Sequence, residues 1–222
     1  MRRAAKNRLH RLRFDNPRLC PDVGRLEGAR PFLDSVPGFL DPTSTPAESY
    51  REMSVGASQI LVWVEPPRAC IRVVGRAAVE GARQFRTLIQ RLESQGIHQF
   101  CVDLGECRIM DSTFSGVLAA LASEPEACSS GSPGERFTLI NPNARVRDLL
   151  DNLGVLPLVR VIEGTTLRMP GGGVEEISPS SSSKSETTRC CLEAHQFLMD
   201  LKPENRQRFA EVTRLLEEQL KG

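Results

Sequence analysis

Between Gln59 and Gly164 the apolar positions follow two rhythms. The runs ILVWV (60–64), CIRVV (70–74), FCVDL (100–104) and RFTLI (136–140) are short and β-rich, bounded by turn-forming residues. Between them, Phe85, Leu88, Ile89 and Leu92 fall at i, i+3, i+4 and i+7, the spacing of one helix face. Phe114, Val117, Leu118 and Leu121 repeat that stripe, and Val146, Leu149, Leu150 and Leu153 give it a third time. EPPRA (65–69) separates the first two strands as a turn, Gly96 ends the first helix, and Gly154 closes the third as a C′ residue. LPLVRVI (156–162) supplies an optional last strand. The order is β-β-α-β-α-β-α. Strands separated by helices need right-handed crossovers, so the sheet is expected to be largely parallel, with an antiparallel opening pair. Three singly striped helices suffice to cover one sheet face.

The flanking segments read differently. Residues 1–52 are rich in Pro, Arg and small polar residues with no sustained period, and an N-terminal extension with little stable structure is expected. Its start, MRRAAKNRLHRLRF, lacks the apolar run of a secretory signal, and Met53, where patterning begins, is expected to be the natural start. Residues 165–187, with Gly171–Gly173 and a serine run, read as a flexible linker. No P-loop Lys-Ser/Thr follows the three glycines, so they are not read as a phosphate cradle. Residues 188–222 read as a helical segment: Leu192, Phe197, Leu198 and Leu201 mark one helix, Pro203 interrupts it, and Phe209, Val212, Leu215, Leu216 and Leu220 mark a second. Either these helices pack on the domain or they contact a partner.

Composition narrows the function. Against 28 acidic residues stand 29 basic ones, which does not suggest a direct nucleic-acid partner. The seven Cys form no CxxC pair, several sit inside apolar runs, and the three His (His10, His98, His195) are far apart. These observations predict reduced thiols in a cytoplasmic protein and neither a metal site nor a cofactor. No run reaches the roughly 18 apolar residues of a membrane span.

Chemistry concentrates in MDSTFSG (110–116), where a strand runs into a helix. Asp111 or Ser112 suits the N-cap, which needs one residue. Three hydroxyls and an acid exceed that need, at the edge of an open α/β sheet where ligands and partners bind. A hydrolase is disfavoured: there is no GxSxG, and Ser112, Thr113 and Ser115 have no evident general base in the sequence. A phosphate acceptor fits better. Phosphate at a helix N-terminus meets unpaired N–H groups and the positive end of the helix dipole.

VDLGECRIMDSTFSGVL, followed by FTLINPNARVRDLLDNLGVLPLV, resembles the STAS domain family, specifically the anti-sigma factor antagonists of bacteria. The resemblance covers about Gln59 to Gly164. It implies a STAS domain over 57–164: an α/β fold with a mixed four- to five-stranded sheet, helices on one face, and here a C-terminal helical extension. By position, the family's phosphorylated residue falls on Thr113, with Ser115 and Ser112 as secondary acceptors. The partner-binding positions fall on Asp111, Ser112, Phe114 and Gly116. Phe114 stands where the family usually has Gly, and Ser115 where it often has Leu. The implied function is that of a binding protein and not an enzyme. When unphosphorylated it would bind a GHKL-type serine-kinase anti-sigma factor and free a sigma factor; a PP2C-type phosphatase would reset it. The alternative is a non-phosphorylated STAS scaffold or adaptor in a protein assembly or lipid-transport system.

Overall fold

The computed structural model describes residues 58–124, 134–168, 173–177 and 183–221. The expected N-terminal extension and Met53 lie outside these residues. So do Cys20, Cys128 and part of the expected linker.

Strands β1 (Ser58–Glu65) and β2 (Arg68–Ala77) form an antiparallel pair. Helix α1 (Val79–Ser94) leads to β3 (Gln99–Asp103), and β4 (Cys107–Met110) to α2 (Ser112–Ala122). After β5 (Gly134–Ile140) come α3 (Ala144–Asn152), a 3-10 turn (Leu156–Leu158) and β6 (Val159–Ile162). Strand β7 (Glu175–Glu176) precedes α4 (Lys184–Leu201) and α5 (Pro203–Lys221). The sheet runs β6-β5-β3-β2-β1-β7, with β4 also on β2. β3, β5 and β6 join β2 in a parallel array, as the alternation of strands and helices predicts.

Among the described residues the sheet has seven strands where the sequence predicts four or five. The two additions are short. β2 is ten residues long: Arg68–Arg72 pair with β3, and Gly75–Ala77 pair with β4, with a register shift between Gly75 and Arg76. Four residues beside a polar turn carry no period that marks a strand, so β4 is invisible to pattern alone. Likewise β7 exists only because β1 offers a free edge, and the Arg91 guanidinium holds Glu175 there through two 3.0 Å hydrogen bonds.

Alternation along β2 sends Ala69, Ile71 and Val73 to one face, where they meet Val102, Leu139 and the apolar stripes of α1 and α2. Phe85 of α1 lies 5.2 Å from Phe114 of α2 and 6.2 Å from Phe137 of β5, which stacks on Phe100 of β3 at 5.0 Å. Offset and tilted rings at these distances add to what their burial contributes. On the other face Arg72 binds the Asp103 carboxylate at 2.9 Å and the Leu167 carbonyl at 2.7 Å. That contact fixes part of the segment between β6 and β7. Cys70 and Cys101 are register partners across β2 and β3; the thiol of Cys70 donates to Cys101 and lowers its pKa to about 7.

The C-terminal helices belong to the same core. Cys190, Ala194 and Leu198 of α4 and Phe209 of α5 are buried in it. A capping box starts α4: the Ser183 hydroxyl accepts the Glu186 N–H, and the Glu186 carboxylate accepts the Ser183 N–H. At the α4–α5 turn the buried Asn205 amide donates to the carbonyls of Leu153 and Leu198 at 3.0 and 2.8 Å. It thereby ties the hairpin to the end of α3.

Candidate functional site

The turn between β4 and α2 opens at the carboxyl ends of the parallel strands. Asp111 has extended backbone (φ −103°, ψ 173°), and its carboxylate accepts the Phe114 N–H at 2.8 Å, so Asp111 is the N-cap. Burial pushes its carboxyl pKa up; the N–H groups of Phe114 and Thr113, then the charges of Arg76 and His195, pull it back. Ser115 is fully buried, and its hydroxyl donates to the Asp111 carbonyl at 2.9 Å. Phe114 points into the core against Phe85 and is also fully buried. Residues three and four apart share a helix face, so Phe114 lies with Val117, Leu118 and Leu121 as the stripe requires.

The other side of the turn faces α4. The Ser112 hydroxyl is 2.9 Å from His195 Nε2, and the Thr113 hydroxyl donates to Cys191 Sγ at 3.8 Å. Thr113 is only 6% exposed. One turn on, Gly116 lets the helices approach: a Cβ there would lie 2.5 Å from the Ala194 carbonyl oxygen. His195 also lies against Phe209 of α5, the two rings tilted by 39° with centroids 4.8 Å apart. Burial depresses its pKa below the ordinary value, partly offset by the Cys191 carbonyl and the Asp111 charge. Nδ1 of this ring is buried and makes no hydrogen bond of good geometry among the described residues.

All six residues singled out from the sequence are therefore gathered within one and a half turns. Thr113, Ser115, Phe114 and Gly116 are buried in the described conformation, and Asp111 and Ser112 are half-buried. Pattern reasoning missed His195, Cys191 and Ala194. The apolar stripe of their segment marks a helix but gives no hint of which surface receives it. A Ser–His contact exists between Ser112 and His195. Its histidine has no acid on Nδ1, so the arrangement of a hydrolytic triad is not met. Among the described residues no group of three His, Cys, Asp or Glu could hold a metal ion, and no helix is long and apolar enough to cross a membrane.

The sequence matches no protein-family model and no curated protein. Among solved structures it is similar to the anti-sigma factor antagonist SpoIIAA in its unphosphorylated form, at 22% identity over 49% of this chain and 90% of that one, with a TM-score of 0.39. The phosphorylated form of SpoIIAA, described as a Bacillus cell fate determinant, matches at 24% identity over 49% and 92%, with a TM-score of 0.39. A Thermotoga maritima protein described as a candidate anti-sigma factor antagonist matches at 19% over 47% and 85%, with a TM-score of 0.40. The described residues form a mixed sheet in the order β6-β5-β3-β2-β1 with helices packed against it, extended by a C-terminal helical hairpin.

Proposed function

We propose that the chain is an anti-sigma factor antagonist: a binding protein whose docking element is the first turn of α2 and whose switch is Thr113. The observation that carries this reading is the cap at Asp111, which fixes Thr113 in the first turn of α2, at the carboxyl edge of the parallel strands. The resemblance of VDLGECRIMDSTFSGVL to the family motif supports the same residue. In the unphosphorylated state the chain binds a GHKL-type serine-kinase anti-sigma factor and so releases a sigma factor. In the switching step the Thr113 hydroxyl oxygen bonds to the γ-phosphorus of the kinase's ATP. The bond from that phosphorus to the β,γ-bridging oxygen breaks, ADP leaves, and the hydroxyl proton passes to a base of the kinase. A charge of about −1.5 to −2 then stands beside the Asp111 carboxylate and repels an interface that fitted a neutral hydroxyl. A PP2C-type phosphatase restores the hydroxyl.

The test is phosphate mapping by mass spectrometry after incubating the full chain with the kinase and ATP. Phosphate on Thr113 is expected, and its loss in Thr113→Ala. Phosphate confined to Ser112 or Ser115 would move the switch. No phosphate anywhere, in the native chain and in a variant whose C-terminal helices are displaced, would end the reading.

A further inference from the structure

The atoms that the proposed switch needs are already engaged. The hydroxyls of Ser112 and Thr113 meet His195 and Cys191, and the open side of Gly116 is filled by Ala194. No kinase reaches a threonine that is 6% exposed beneath a helix. We infer that the α4–α5 hairpin is a displaceable cap, and that a partner helix with an acidic face competes with α4 for the surface of α1 and α2. This inference rests on the first turn of α2 being the docking element.

Two features of the contact favour displacement. Over the first turn of α2 the contact with α4 is polar, two hydroxyls against an imidazole and a thiol, so opening at that turn gives up little apolar area. Further along the hairpin Cys190, Leu198 and Phe209 are buried in the core, so full displacement exposes apolar area that a competing helix must cover in its turn. Phosphate on Thr113 also cannot coexist with a sulfur 3.8 Å from the same oxygen. Capping and phosphorylation therefore exclude each other, and by linkage each weakens the other equally.

The chemistry of α4 indicates what replaces it. Arg83 and Arg86 of α1 meet Glu186 at 3.6 Å and Glu193 at 2.6 Å, beside a cleft of about 170 Å³ that Arg189 also lines. The two glutamates are seven residues apart, two turns on one helix face. Next along that helix, Ala194 lies against Gly116. A competing helix thus carries carboxylates at i and i+7 and a small residue at i+8. Its apparent affinity falls by the fraction of the chain that is uncapped.

The probe is a synthetic peptide of residues 184–201, fluorescently labelled and titrated into the full chain and into full-length Ala194→Glu, which sets a carboxylate against the backbone at Gly116. The opened variant should bind the peptide at least tenfold more tightly than the native chain. Replacing both peptide glutamates (Glu186→Lys and Glu193→Lys) should abolish that binding. In native hydrogen exchange, α4 and the first turn of α2 should open together and more often than β2, β3 and β5. Equal peptide affinity of the two proteins overturns the cap. So does a hairpin that exchanges only with the sheet, a result that decides the matter even if Ala194→Glu fails to fold. With the kinase present, Thr113 should be modified faster in the opened variant. If the peptide selects the opened variant but the kinase neither binds nor modifies it, the cap stands and the anti-sigma reading fails.

Discussion

His195 lies in an interface with no acid salt-bridged to it among the described residues, so its titration bears directly on the fold. Its pKa is depressed in the folded state, and the unfolded chain therefore takes up its proton first. The stability this residue contributes is complete above its ordinary value of 6.5 and is lost as pH falls below it toward the folded value. Asp111 acts in the opposite sense. Its pKa is raised above 3.8, so as pH falls toward that value the folded state binds a proton sooner and offsets part of the loss. Thermal unfolding followed from pH 7.5 to 5.5 should show a falling midpoint, and His195→Gln should flatten that fall. An unchanged slope in the variant would mean that the imidazole stays neutral or is solvated throughout. Phe114 also has its explanation here: where the resembling family usually has glycine, this chain places a ring in the core against Phe85.

At the scale of elements, α2 and α4 are held together by the absence of a side chain. A glycine inside a helix costs about 1 kcal/mol relative to alanine, so Gly116→Ala taken alone should strengthen α2. The added carbon would lie 2.5 Å from the Ala194 carbonyl oxygen and 2.9 Å from the Ala194 Cβ, and neither backbone yields without moving a helix. Overpacking of this kind costs about 1–3 kcal/mol, so the steric effect wins. Gly116→Ala should lower the urea midpoint and speed amide exchange in α4 more than in β3. A higher midpoint would show that the α2–α4 seam absorbs the added carbon without strain.

For the whole molecule, one buried cation joins layers that are distant in sequence. Arg136 of β5 is 3% exposed; it donates to the Leu121 carbonyl at the end of α2 and to Glu124, and it pairs with Glu93 of α1. Its guanidinium carbon also lies 5.5 Å from the centre of the Phe137 ring. Removing it leaves the half-buried Glu93 without its partner, and breaking a buried pair costs about 3–5 kcal/mol, reduced here because Glu124 is exposed. Arg136→Met, which retains much of the apolar stem, should destabilise the fold by about 2–3 kcal/mol in urea denaturation. A loss under about 0.5 kcal/mol would place the fold's cohesion in the aromatic chain alone.

The sequence by itself determined what periodicity and local chemistry control. The stripe from Phe85 to Leu92 forms α1, the run FCVDL gives β3, and the cap of α2 falls within the Asp111–Ser112 pair, where the structure selects Asp111, because each depends on residues within a turn or two. The parallel array followed from strands alternating with helices. Tertiary structure decided the rest. β4 and β7 are strands only because β2 is long and β1 has a free edge, and partners set by the fold leave no mark within four residues or two. Thr113 was singled out through the family resemblance, but its burial depends on Cys191, 78 residues later. Whether the amphipathic face of α4 would meet its own domain or another protein depended on which surface complements it, and a single helix's pattern holds no information about that surface.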